Sequence, residues 1–555
     1  MKNKLFSRKS FLAFSLGVVS TTFVSCQKEQ TDLSNTELTQ AQQKEFNLFP
    51  SGLESPALYG IAANYDKNAD GVLNTAPRVL VNGGILGHGN SNYFAPYVNA
   101  QGNLMVDAWQ LLTQMGYSAS ISSNKLFAQR TGRTNGAQSM SFTAGSNVAV
   151  IGGFNVTMPS PAVQAANGRI VVPARFLAGQ AGAAARGNNP ANIDYDADTQ
   201  SLQIYDYEFC DQGIYFYGTQ AGNTDAIGCQ KFIPGQANRF FDPNKPTIIY
   251  THGWQPNGVI NRTREDFTFI ADPASGSVVN VHNKWISDGW NVAIYHWVQL
   301  ADDKAPSATY PRPYDEECKI YDAANRKVGM RWKKTDGTYV TNSVFNQSVH
   351  QLYAGELRKL FGVLNGSVEL RLMGNSLGGN LTMATCYELN RTGNRLPARV
   401  TLIDPYWTPV TNADATLPFR GVTNTSYDVG AEAGRILRSN NRGVEYIRTS
   451  ILGVDGANSY LAEVSCFTHF GVDYTWNPAE KHTAPVKQYL WSRSFAAPTL
   501  TNVNALGGAN ANVPTSRILE MANTSGFGRR HWNHVQGRGD RSPANHRFEQ
   551  RNGVW

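Results

Sequence analysis

The chain has 555 residues, too many for one ordinary domain, and its 41% hydrophobic and 11% aromatic content is enough to bury two or three cores. Its 49 Lys and Arg against 42 Asp and Glu give a formal charge of +7. Four of those cations sit in the first nine residues; without residues 1–25 the balance falls to 45 against 42, or +3, and charge excludes a nucleic-acid reading.

Lys2, Lys4, Arg8 and Lys9 precede an apolar run from Phe11 to Val24. That is the layout of a secretory signal, too short to read as a spanning helix with soluble flanks. The run ends in Phe23-Val24-Ser25-Cys26, which resembles a bacterial lipobox with Phe23 in place of the usual Leu. The resemblance implies lipidation at Cys26 and a membrane-anchored lipoprotein of the bacterial cell envelope, facing periplasm or exterior; plain secretion is the alternative. Residues 27–77 read as a tether, polar and without a sustained period over 27–57. Inside it, Asp66, Asn68, Asp70 and Gly71 imitate the first half of a calcium loop, but Pro77 stands where such a loop needs a bidentate Glu. A Gly/Asp-rich turn is the preferred reading. Five cysteines remain after Cys26, and export permits disulfides, with Cys210 and Cys229 the best local pair. No Cys or His spacing suggests a metal.

Residues 78–206 contain an internal repeat. The stretches 95–117 and 161–184 align at a constant offset of 66, with Gly102 on Gly168, Val106 on Val172 and Gly116 on Gly182. Each unit reads as an Asn/Gly turn, a short strand and an amphipathic helix stopped by glycine, an α+β module. Its "VPARFLAGQAGA" and "IDYDADTQSLQIYDYE" resemble the copper amine oxidase N-terminal-like domain. The name records kinship of fold; the only histidine of the region is His88, which does not make a copper site.

From about 240 the pattern changes. "KPTIIYTHGW" (245–254), "GWNVAIYHWV" (289–298), "SVELRLMGNS" (367–376), "ARVTLIDPYW" (398–407) and "GVEYIRTS" (443–450) read as buried strands. Helical patterns at 277–288, 347–362 and 377–390 lie between them. The alternation predicts a fold of the α/β class with a mostly parallel sheet covered on both faces, over residues 207–495. Residues 299–345 interrupt it with loop-like, aromatic and charged sequence, as an inserted flap does. The aromatic-rich stretch Tyr295, Trp297, Tyr310 and Tyr314 either lines an acyl pocket or fills the core.

At 374–378, "GNSLG" fits the G-x-S-x-G elbow, whose small residues let a strand turn sharply into a helix with the serine exposed. Ser376 is the candidate nucleophile; it needs a histidine base oriented by a carboxylate. Asp404, 28 residues on at the end of the next strand, is the candidate acid. His469 and His482 both satisfy the chain order Ser, Asp, His. At this point the chain resembles the pancreatic-lipase branch of the α/β-hydrolases, through "IIYTHGW", "GWNVAIYHW", "LRLMGNSLGGNL", "VTLIDPYW" and "VEYIRTSILG" in that order. The resemblance implies Asp404 as acid, His482 rather than His469 as base, and an oxyanion hole from the backbone N–H groups of Trp254 and Leu377. It makes His252 a packed support for its loop. Asn375 stands where these lipases often carry His, no lid-type disulfide pattern is present, and no β-sandwich lipid domain follows.

Residues 496–555 form a basic C-terminal extension that reads as a solvated or docked terminus. The expectation is therefore an exported Ser-His-Asp hydrolase of carboxylic esters, lipid esters first, needing no cofactor. Hydrolysis of an acylated polysaccharide or polyester, or binding without catalysis on the same fold, are the alternatives.

Overall fold

The computed structural model describes residues 78–552 apart from short stretches, the longest being 184–192, 304–313 and 536–545. Cys26, the 66–77 stretch, His88 and Tyr310 lie outside the described residues.

In the first module, β1 (Leu104–Asp107) runs into α1 (Ala108–Gln114), and β2 (Ile170–Pro173) into α2 (Ala174–Ala178). These are the two copies of the repeat. They pair antiparallel with Val106 opposite Val172, so one pair of equivalent positions marks the centre of the pairing. Gly102 and Gly168 hold φ +75° and +79° at equivalent turns, a conformation that glycine adopts without the Cβ clash. The copies differ at the helix start. Asp107 accepts the N–H groups of Trp109 and Gln110 at 3.0 and 3.2 Å, whereas Pro173 supplies no side-chain cap. Leu111, Leu112 and Leu177 form a core with Leu126, Met140 and Phe142 from a five-stranded antiparallel meander between Ser118 and Thr157.

The second unit is built on one large sheet. Its strands are β3 (Gly213–Gln220), β4 (Asn223–Lys231), β5 (Thr247–Thr251), β6 (Asn291–His296), β7 (Leu370–Asn375), β8 (Arg399–Ile403), β9 (Gly443–Arg448) and β10 (Cys466–Gly471). β11 (Thr499–Leu500), β12 (Arg530–Val535) and β13 (Arg547–Asn552) complete it. The order is β4-β3-β6-β5-β7-β8-β9-β10-β12-β13-β11. Every pairing from β6 to β12 is parallel. β3 pairs antiparallel with β4 and β6, and β12 with β13, so the sheet as a whole is mixed. Every residue of β5, β6, β7 and β8 is buried, the signature of strands covered on both faces.

One face packs on α3 (Tyr314–Tyr321), α4 (Val349–Phe361), α5 (Leu377–Arg391) and α6 (Ser426–Ser439), through Tyr353, Leu357, Leu381 and Val429. The other carries Trp285, Trp290 and the residues Val486, Tyr489 and Leu490 of α7 (Pro478–Trp491).

Four sequence readings change. Residues 277–280 are a strand paired with 268–272, and the helix there shrinks to Asn283–Ser287; the β-branched Val278 and Val279 favour extended backbone. Within 299–345, the described residues are no free flap: Cys318, Ile320, Tyr321 and Trp332 enter the main core. Tyr295 and Trp297 are fully buried in that core as well, and Tyr295 stacks on Tyr353 at 3.9 Å between centroids. The stretch beyond 495 is no appendage either, since β11, β12 and β13 extend the sheet and Trp532 and Phe548 pack beneath a helix at Thr515–Thr524. Finally, Cys210 and Cys229 are not bridged. Cys210 packs against the core on one face of the sheet, while Cys229, opposite Tyr217, joins the core on the other. The sheet therefore lies between the two thiols.

Candidate active site

The carboxyl ends of β7 and β8 lie side by side and bring the candidate residues together. At the end of β7, Ser376 takes φ +53° and ψ −128°, a strained backbone for a residue with a side chain. The glycines around it follow from crowding. A Cβ on Gly374 would stand 2.4 Å from the Gly378 carbonyl oxygen, and one on Gly378 would stand 2.2 Å from that of Thr251. The turn is pinned by the Ser376 N–H donating to Ile403 at 3.1 Å and the Ser376 carbonyl accepting from Tyr406 at 3.0 Å.

Asp404 follows β8 and is fully buried, with φ +43°. Its Oδ1 accepts the backbone N–H groups of Thr449 and Ser450 at 3.1 and 3.2 Å; its Oδ2 accepts the Ser450 hydroxyl. The same Oδ2 lies 2.5 Å from His482 Nδ1. His482 stands in the second turn of α7, with its side chain 12% exposed. The carboxylate therefore meets an imidazole from 78 residues away. His469 does not occupy that place: it lies on β10, level with Arg448 of β9 in the parallel ladder.

Asn375, beside the serine, supplies a contact that sequence reasoning passed over as a mere departure from a family pattern. Its amide Nδ2 donates to the Ile403 carbonyl at 2.9 Å and to the His482 carbonyl at 3.1 Å. One side chain thus ties the backbone of the serine's turn to the strand before Asp404 and to the helix that holds His482. Only the residue type at that position hinted at it, because both acceptors are distant in sequence.

The loop after β5 closes the other side. A Cβ on Gly253 would sit 2.9 Å from Ser376 Cβ and 3.4 Å from its Oγ, so this backbone runs directly against the serine side chain. His252 is fully buried, its Nε2 accepts the Trp297 N–H at 3.0 Å, and its ring stacks on Trp297. Trp254 follows, and its indole Nε1 donates to the Asp303 carbonyl at 3.1 Å. Leu377, the first residue of α5, is buried at the helix N-terminus, where N–H groups have no partner within the helix. An elbow serine, a buried carboxylate–imidazole pair and a glycine-flanked turn at a helix N-terminus thus lie along the carboxyl edge of the sheet.

Behind the site, Glu317 of α3 is buried between the helix that follows Ser376 and the loop that follows Asp404. Its Oε1 accepts Asn380 Nδ2 at 2.9 Å and its Oε2 accepts the Thr408 N–H at 2.5 Å and the Thr408 hydroxyl. Burial pushes its carboxyl up from 4.5 to about 8, against the lowering effect of these hydrogen bonds. Among the described residues, no group of three or more His, Cys, Asp or Glu side chains is placed to hold a metal ion, and no helix is long and apolar enough to cross a membrane.

No curated protein matches the chain. Solved structures similar to it include a CIB-like hydrolase from Thermoplasma acidophilum, at 11% identity over 44% of this chain and 82% of that one, TM-score 0.22. Another is a metagenome-derived lipolytic enzyme, at 13% identity over 39% and 78%, TM-score 0.19. A lipase/esterase from Lactobacillus plantarum shows 12% identity over 41% and 74%, TM-score 0.19. Residues 88–204 match the copper amine oxidase N-terminal domain family, which places that module ahead of the large sheet.

Proposed function

We propose that the chain is a serine hydrolase of carboxylic esters, lipid esters first, built on an α/β-hydrolase sheet. The observation that carries the reading is the 2.5 Å contact between His482 Nδ1 and the buried Asp404 carboxylate, on a helix tied through Asn375 to the strained turn of Ser376.

In this reading the Ser376 hydroxyl attacks the acyl carbonyl while His482 Nε2 takes its proton. Asp404 holds the ring with its Nδ1–H toward the carboxylate and offsets the positive charge that develops. The backbone N–H groups of Trp254 and Leu377 receive the oxyanion. His482 passes the proton to the departing alcohol, then activates water to release the acid. A fluorophosphonate probe should label the protein, and Ser376→Ala should abolish the label. Labelling that survives the substitution sinks the assignment. Rates on p-nitrophenyl esters of increasing chain length, beside a triglyceride emulsion, test the lipid preference; indifference to acyl length counts against it.

The same reading has the mature protein held at the bacterial envelope by a lipid on Cys26. Metabolic labelling with a palmitate analogue, absent from Cys26→Ala, checks that placement.

A further inference from the structure

The turn after Gly253 is held from outside. Gln255 N–H donates to the Ala301 carbonyl at 3.0 Å, the His252 carbonyl accepts the Trp297 indole at 2.9 Å, and the Trp254 indole reaches Asp303. Gly258 N–H donates within the turn to the Gln255 carbonyl at 3.0 Å, and two further backbone donors go to one side chain. Asp302 Oδ1 accepts the Asn257 N–H, and its Oδ2 accepts the Val259 N–H at 2.8 Å. Asn257 holds φ +62°, so the carboxylate grips the turn where its backbone is least relaxed.

Asp302 is itself clamped. Lys333 Nζ donates to its Oδ1 at 2.7 Å, and the two side chains are 0% and 1% exposed. Lys333 belongs to the short hairpin Trp332–Lys333 with Tyr339–Val340, and that hairpin is locked to the same segment. Lys333 N–H donates to the Gln299 carbonyl and Gln299 Nε2 to the Lys333 carbonyl, each at 3.0 Å. A buried ion pair is an expensive way to gain stability, and an apolar pair of similar volume often does as well. A carboxylate gives something that an apolar side chain cannot: two oxygens aimed at two N–H groups of one turn.

We propose that Asp302, fixed by Lys333, is a positioning residue that sets the 253–259 turn and so aims the Trp254 N–H at the oxyanion. The inference rests on the hydrolase reading given above. Gly253 touches the serine side chain closely enough that a small shift of the turn changes the geometry of attack, and misplacement by about 1 Å costs on the order of 10²-fold in rate. Described residues of the 299–345 insertion then act on the reaction through Asp302 and Lys333.

The test uses the full chain with Asp302→Asn and with the double variant Asp302→Asn/Lys333→Met. An asparagine offers one carbonyl oxygen and must turn its NH₂ toward a backbone donor, so one loop bond is lost at nearly constant volume. On p-nitrophenyl butyrate, kcat should fall about 10²-fold while KM stays within about threefold, the split expected when only transition-state contacts are lost. Inhibition by butylboronic acid, a tetrahedral mimic, should weaken in parallel. The double variant removes the stranded lysine charge, so its melting temperature should recover while kcat stays low; it also carries the test if the single variant does not fold. Wild-type kcat in either variant, or kcat that returns together with the melting temperature, overturns the proposal. Failure of the wild-type protein to be labelled at Ser376 instead overturns the hydrolase reading beneath it.

Discussion

Asp404→Asn probes the central pair at nearly constant shape. Asp404 Oδ1 takes two backbone N–H groups, from Thr449 and Ser450, while Oδ2 faces His482 Nδ1. The substituted amide must keep its carbonyl on the Thr449 and Ser450 side, because an NH₂ there would face two donors. Its NH₂ then points at His482 Nδ1 and can donate only to a ring nitrogen that has lost its proton. The ring proton is displaced to Nε2, the atom that accepts the serine proton in the proposed mechanism, and the charge that offsets the imidazolium there is gone. The loss in kcat is expected near 10⁴-fold, about 5 kcal/mol of barrier. Folding should survive, since the two backbone bonds are kept and asparagine tolerates the φ of +43° at this position. Initial rates on p-nitrophenyl butyrate, with Ser376→Ala as the floor and near-ultraviolet circular dichroism as the folding control, measure the effect. A folded variant that keeps more than about a tenth of wild-type kcat refutes the tautomer argument.

Two further outcomes follow from buried side chains near the site. Asn375→Ala removes both amide bonds from the elbow to Ile403 and His482, and should cost about tenfold in kcat and 1–2 kcal/mol of stability. Asn375→Asp, which turns carboxylate oxygens toward those two carbonyls, should be worse by both measures in kinetics and urea unfolding; a milder effect than Ala contradicts the assigned contacts. For Glu317, the folded chain keeps a proton that the unfolded chain releases above about pH 4.5, because burial raises the folded value to about 8. Its stabilising contribution is therefore full below pH 4.5, declines as pH rises toward 8, and levels off beyond. Unfolding midpoints across that range should show a slope that Glu317→Gln flattens; an unchanged slope removes Glu317 as its source.

Local features were legible in the residue order because local sterics write them there. The elbow appears as Gly374, Ser376 and Gly378 since the turn leaves no space for Cβ atoms beside the Gly378 and Thr251 carbonyls. The inner strands appear as largely apolar runs since both their faces are covered. The repeat shows as an offset of 66 because both copies reuse one turn with a positive φ at its glycine. Less visible were residues whose role depends on distant partners. The stretch beyond 495 looked basic and terminal, yet Trp532 stands in register with Thr468 across β10 and β12. Nothing in its composition states that pairing.

The order of residues by itself determined the turn that presents Ser376, the strands feeding it, and the spacing that made Asp404 a candidate, because backbone strain and burial act over a few neighbours. It left two histidines open on the residues alone. Tertiary structure decided that His482 and not His469 meets the carboxylate, that Asn375 ties the three segments, and that described residues of the 299–345 insertion join the core, with Asp302 gripping the loop beside the serine. Hydrogen bonds between groups 78 or 107 residues apart leave no periodicity in a chain; they exist only once packing has brought the groups within reach.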